Sequence, residues 1–168
     1  MNHATVLMVE DEDGIRELMR LFLVKKGYEI LEAEDGFEAL DVLSKENPDL
    51  ILLDIEMPGM SGLELCEKSR VRTKTPILFV SYRKELAYKI QGLEVGGDDY
   101  ITKPFGKEQL LFTIQKAVKL RELQSENQAL KSELTEKFSF DNMIAKSGIM
   151  QDVLRITHKV AQSNASVI

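Results

Sequence analysis

Five strand-length runs alternate with five stretches of helical periodicity between Thr5 and Leu120, and this alternation limits the possible folds more than any other feature of the chain. The runs are residues 5–9 (Thr-Val-Leu-Met-Val), 28–33, 50–53 (Leu-Ile-Leu-Leu), 77–80 (Ile-Leu-Phe-Val) and 98–102. Each is strand-length and bounded by turn or charged residues, so each reads as a strand. Leu50-Ile51-Leu52-Leu53 has no polar face, which suits a strand covered on both sides in a parallel sheet. The 28–33 run alternates and fits an edge. Ile15, Leu18, Met19, Phe22 and Leu23 recur at helical spacing; Lys25, Lys26 and Gly27 then supply a basic end and a stop. Phe37, Ala39, Leu40 and Leu43 mark a second helix over 36–45, broken by Asn47-Pro48-Asp49. Further helices are read over 63–70, over 85–95 and from Lys107 onward.

Strands that alternate with helices imply a parallel, doubly wound α/β sheet. Right-handed crossovers with the second strand outside favour the flavodoxin-like order 2-1-3-4-5. The first strand runs into Glu10-Asp11-Glu12-Asp13-Gly14, with one glycine among four acids, which disfavours a dinucleotide fold because the acids would repel a pyrophosphate. The chain has 168 residues, enough for one domain with an appendage, and a net charge of −6. An acidic balance argues against direct nucleic-acid contact, which needs a basic face. Cys66 is the single cysteine, so no internal disulfide or cysteine-rich metal site is expected and a structural thiol is the reading. Residues 1–5 carry no basic-then-apolar signal pattern and no apolar run reaches membrane-spanning length, so a cytoplasmic protein without a membrane partner is expected.

In such a sheet, ligands sit beyond the carboxyl ends of the strands. Those ends carry Glu10 and Asp11, Asp54, Ser81 and, after the fifth strand, Lys103. Asp54 alone also reads as an acid that merely stops a hydrophobic strand. Three carboxylates in one pocket repel each other, and a hard divalent cation such as Mg²⁺ relieves the repulsion. A nearby ammonium and hydroxyl would hold phosphate oxygens. The set suits phosphoryl transfer with Asp54 as nucleophile.

Glu10-Asp11, Asp54 ahead of Met57-Pro58-Gly59 and Gly62, Ser81, and Lys103-Pro104-Phe105 together resemble the receiver domain of two-component response regulators, over residue 4 to about residue 122. The resemblance implies that Asp54 is the phosphoacceptor. It implies Mg²⁺ bound by Asp11 directly, by Glu10 through water, by Asp54 and by the backbone carbonyl of Glu56. Lys103 would pair with the phosphoryl group across a cis Lys103-Pro104 bond. Ser81 would be the switch hydroxyl and Tyr100 the switch aromatic; without the resemblance Tyr100 reads as an ordinary aromatic on a half-buried strand. The implied partner is a sensor histidine kinase. Two positions depart from the family pattern. Tyr82 stands where a small residue is usual, so its ring could screen the site or hinder Ser81. Glu56 adds an acid beside the site. Both also read as neutral surface variation.

No Gly or Pro occurs from Lys107 to Ser147, so the last helix should run on past the domain, and a helix to Lys137 would be about 45 Å long. Leu120, Leu123, Asn127, Leu130 and Leu134 step by three and four, a heptad seam with Asn127 at an a position, and Glu126 and Lys131 are placed to pair across chains. A parallel homodimer through this helix is the reading, against an amphipathic helix folded back on its own domain. Phe138-Ser139-Phe140, Met143-Ile144-Ala145-Lys146-Ser147 and the helical pattern of 150–161 resemble the entry to the AAA+ ATPase domain of sigma-54-dependent activators, with departures at Ala145 and around Gly148-Ile149. No phosphate-loop motif is present, so ATP hydrolysis by this chain is not expected. His158 reads as a surface or packing residue.

The expected organisation is a receiver domain over 1–120, a coiled-coil dimerisation linker over 121–137 and an incomplete AAA+ start over 138–168. The expected function is a phospho-accepting signalling module, not an enzyme of other substrates, that controls a sigma-54-dependent activator and reaches RNA polymerase only through domains beyond Ile168. The alternatives are a receiver-like dimerisation scaffold that is never phosphorylated and, more distantly, a phosphate-ester hydrolase built on the same acids.

Overall fold

A computed structural model of the chain describes residues 4–137 together with 155–156. The chain divides into two units, Met1–Leu123 and Gln124–Ile168. The elements are β1 (Thr5–Val9), α1 (Asp13–Val24), β2 (Glu29–Ala33), α2 (Gly36–Lys45), β3 (Leu50–Leu53), α3 (Gly62–Arg70), β4 (Ile77–Ser81), α4 (Leu86–Glu94), β5 (Asp99–Thr102) and α5 (Lys107–Lys137). All pairings are parallel and the order is β2-β1-β3-β4-β5, the flavodoxin-like arrangement with β2 at an edge.

Alternation along the strands builds two cores, one on each face. Leu50 and Leu52 join Val6, Met8, Leu78, Val80 and Ile101 beneath α1 and α5, which supply Met19, Leu23, Leu110 and Ile114. Ile51 and Leu53 join Leu7, Val9, Ile77 and Phe79 on the other face, under Ala39, Leu65 and Cys66 from α2 and α3. All four residues of β3 are buried. At about 1.5–3 kcal/mol for each buried aliphatic side chain, this strand anchors both layers. Asp35 caps α2 by accepting from the amides of Phe37 and Glu38, and Ser61 caps α3 by accepting from Glu64.

Some element ends and faces differ from the sequence reading. Tyr28 is not in β2: its amide donates to the Leu23 carbonyl, in the turn that closes α1 around Gly27, where φ is +88°. α4 and β5 are shorter than read, while β4 ends at Ser81 as read. Leu18 and Phe37 are exposed instead of packed. On α1 the inward position beside Met19 and Leu23 is held by Arg16, which is buried. α5 is one helix of 31 residues, and Leu120, Leu123, Leu130 and Leu134 are about half exposed along it. The last of these residues belong to the second unit, where Arg155 and Ile156 are also helical. The readings of an AAA+ entry over 138–168 and of His158 lie outside the described residues, apart from 155–156. No helix among the described residues is long and apolar enough to cross a membrane.

Candidate functional site

Hydrogen bonding beyond the strand ends converges the key groups. The Glu10 amide donates to the Ala33 carbonyl at 3.1 Å and the Asp54 amide to the Val9 carbonyl at 3.0 Å, so both acids continue adjacent parallel strands. The Lys103 amide donates to the Ser81 carbonyl at 2.8 Å, just after β5. Glu10, Asp54, Ser81 and Lys103 are all buried at this end of the sheet, whereas Asp11 is exposed at the rim. The Lys103-Pro104 bond is cis, as the resemblance implied.

The Lys103 ammonium is bracketed by two carboxylates. Its Nζ lies 2.8 Å from Oε1 and 2.6 Å from Oε2 of Glu10, and 2.8 Å from Oδ2 of Asp54. Burial pulls the ammonium toward neutrality, but the hydrogen bonds to Asp54 and Glu10 outweigh it and hold the group above its ordinary range. Burial pushes Glu10 up to about 7, against the opposing pull of Lys103. The other Asp54 oxygen, Oδ1, accepts the Glu56 backbone N–H at 3.2 Å. Such a buried ionic set is weak evidence of stability, because desolvation offsets the attraction. Its presence, buried at the carboxyl end of the sheet, points to chemistry.

Glu10, Asp11 and Asp54 each offer a carboxylate oxygen, and these oxygens lie within 4.8 Å of one another. Glu10 Oε2 makes no hydrogen bond of its own and is ion-paired with the Lys103 ammonium at 2.6 Å. Hard oxygen donors converging from two strands fit a small hard divalent cation. The Glu56 side chain is turned away toward Arg83, with Oε1 2.7 Å from one terminal nitrogen and 3.0 Å from Nε.

Ser81 and Tyr100 meet on Arg83. The Arg83 amide donates to Ser81 Oγ at 3.3 Å, and the Tyr100 hydroxyl donates to the Arg83 carbonyl at 2.7 Å. The phenol of Tyr100 is raised, chiefly by burial. The Arg83 guanidinium sits 4.9 Å over the Tyr88 ring. Tyr82 places its ring 5.1 Å from Lys103 Nζ, so its aromatic face lies near the buried ammonium while about half of the residue stays exposed.

Two positions have roles that the sequence did not show: Gly62, read there only as part of the family pattern, and Arg16, which was not singled out. A Cβ on Gly62 would fall 1.9 Å from the Asp54 carbonyl oxygen, so only glycine lets the start of α3 pack behind the acid. Arg16 donates to the Glu10 carbonyl at 2.6 Å and pairs with Asp13 and Glu34. Its helical register offered a signal: Arg16 shares a face with Met19 and Leu23, where a charge needs partners.

A family model described as "Response regulator receiver domain" matches residues 6–115. Transcriptional regulatory protein ResD of Bacillus subtilis (strain 168) is 42% identical over 114 residues, which are 68% of this chain and 48% of that protein. Regulatory protein AtoC of Escherichia coli (strain K12) is 30% identical over 164 residues, 97% of this chain and 36% of that protein. The chain thus spans less than half the length of these curated relatives. Among solved structures, a response regulator receiver domain protein (CheY-like) from Methanospirillum hungatei JF-1 superposes with a TM-score of 0.70 at 30% identity, over 73% of this chain and 99% of that one.

Proposed function

The chain belongs to the response regulator receiver domain family, and from that premise we propose that Asp54 accepts a phosphoryl group from a sensor histidine kinase. The observation that carries this reading is the Lys103 ammonium, fully buried and bonded to both Glu10 and Asp54 at the carboxyl end of the sheet. An ammonium in that position neutralises Asp54 at rest and is free to follow a phosphoryl oxygen when one arrives. Mg²⁺ would be held by Asp11, Glu10, Asp54 and the Glu56 backbone carbonyl, and when bound it supplies neutralisation of the phosphoryl oxygens.

The chemistry requires little of the protein beyond position. A carboxylate oxygen of Asp54 forms a bond to phosphorus as the phosphorus–nitrogen bond of the donor breaks. The electron pair leaves on the donor imidazole nitrogen, which takes a proton from solvent. Water reverses the modification by attacking phosphorus and releasing the Asp54 carboxylate. Lys103 stays charged throughout, consistent with its raised proton affinity. Ser81 would close on the phosphoryl group, and because its hydroxyl and that of Tyr100 share Arg83, a movement of one is felt by the other.

Three further readings belong to the same proposal. α5 pairs two copies through Leu120, Leu123, Asn127, Leu130 and Leu134. The output is control of a sigma-54-dependent activator, supported by the sequence resemblance beyond residue 138 and by a match to Regulatory protein AtoC that runs past the receiver. RNA polymerase is reached through parts of the protein outside this chain, which works in the cytoplasm without contacting nucleic acid itself. Incubation with a small phosphodonor and Mg²⁺ tests the site. The wild-type protein gains a base-labile phosphoryl group and Asp54→Asn gains none; equal labelling of the variant would overturn the assignment.

A further inference from the structure

Among the described residues Arg16 is the one buried guanidinium at the acidic rim of the site. It lies in the first turns of α1, 9% exposed, and reaches three acceptors, one on the loop after β1, one on α1 itself and one on the loop after β2. One terminal nitrogen donates to the Glu10 carbonyl at 2.6 Å. The other pairs with Asp13, one turn earlier, and with Glu34 at 3.0 Å, beyond the end of β2. Glu10 lies past the last residue of β1, where the regular ladder has ended. Its backbone is fixed from both sides, with the N–H given to the Ala33 carbonyl and the C=O taken by Arg16. Because a peptide unit is planar, holding the Glu10 carbonyl also sets the plane from which Asp11 departs. The two acids therefore leave a backbone locked by one guanidinium.

We infer that Arg16 is a positioning residue for the divalent-cation pair Glu10 and Asp11; this rests on the reading of that acid cluster as a metal site. Its charge cannot be the useful property. A cation near a metal site repels the metal, and Asp13 and Glu34 serve to offset that repulsion. Removal of a purely electrostatic Arg16 would tighten metal binding, whereas removal of a positioning Arg16 loosens it. The rigid fork is what joins two loops and a carbonyl, and the single point of a lysine ammonium cannot reproduce it. Groups that orient metal ligands without touching the metal typically cost 10–100-fold in affinity when removed.

The experiment titrates the full chain with Mn²⁺, reads the free ion by electron paramagnetic resonance, and repeats the titration with Mg²⁺ as competitor. Wild type, Arg16→Gln, Arg16→Lys and Asp11→Asn are compared, each with a melting curve in the absence of metal. The expected result is roughly 10–100-fold weaker Mn²⁺ binding in Arg16→Gln, and a clear though smaller loss in Arg16→Lys, which keeps the charge. Unchanged or tighter binding in Arg16→Gln overturns the inference. Should Arg16→Gln fail to fold, wild-type affinity in Arg16→Lys overturns it equally. A lower metal-free melting temperature with unaltered affinity of the folded protein would show a purely structural role and also overturn it. Failure of the wild type to bind Mn²⁺, or wild-type affinity in Asp11→Asn, instead sinks the metal reading beneath it.

Discussion

Lys103 has no exposed surface, yet it carries its charge at the meeting point of Glu10 and Asp54. These residues were legible in the sequence because Glu10 and Asp54 directly follow apolar runs and Lys103 follows the fifth strand, and the end of a parallel strand is where such a fold exposes chemistry. Cys66 was legible in the same local way, and it gives a prediction at this scale. Burial pushes its thiol up to about 11 from an ordinary 9.0, and the sulfur sits 3.5 Å from the Val95 carbonyl. Between those two pH values the folded protein keeps a proton that the unfolded chain releases. Stability therefore falls as pH rises from 9 to 11, by at most about 3 kcal/mol. Urea unfolding of wild type and Cys66→Ala across this range should show the steeper fall in wild type; parallel curves would contradict the burial argument. Arg16 and Arg83 were harder to read. Apart from Asp13, one turn before Arg16, their partners are backbone carbonyls and side chains of other loops, which no spacing in the chain announces.

At the scale of elements, hydrophobic period placed the strands and their order, because a run such as Leu50–Leu53 has only one way to be covered on both faces. It failed where side chains near loops do other work. Leu18 and Phe37 fit a helical stripe but face outward, and Tyr28 was drawn from β2 into the closing turn of α1. Tight backbone contact is equally invisible to period. Gly62 begins α3 against the Asp54 carbonyl, and its amide donates to the Ile55 carbonyl at 3.0 Å. A methyl group there must push α3 away from β3. Gly62→Ala should lower unfolding free energy by about 1–3 kcal/mol and weaken phosphodonor labelling, because the shift reaches Asp54 itself. Denaturant midpoints and labelling rates check this together, and wild-type values in both would show that the contact relaxes freely.

At the scale of the whole molecule, a site on one end of a sheet must act on something beyond the receiver. α5 runs through residue 137, and its seam leucines Leu120, Leu123, Leu130 and Leu134 stay about half exposed along the single chain. A heptad seam with asparagine at an a position is covered most simply by a second copy. Replacing Leu123 and Leu130 by glutamine should convert dimers into monomers by analytical ultracentrifugation, with the receiver still folded; dimers that persist at low concentration would deny the seam its role. The sequence predicted this helix from the absence of breakers and a parallel homodimer from the seam; the helix is one element of 31 residues, and the pairing is what the ultracentrifuge reads.

The most direct test remains at Asp54. Intact-mass spectrometry of the wild-type chain after incubation with phosphoramidate, with Mg²⁺ and separately with a chelator, should reveal one added phosphoryl group that maps to Asp54 and forms only with the metal. An unmodified chain, a phosphoryl group on another residue, or equal modification under chelation would contradict the account.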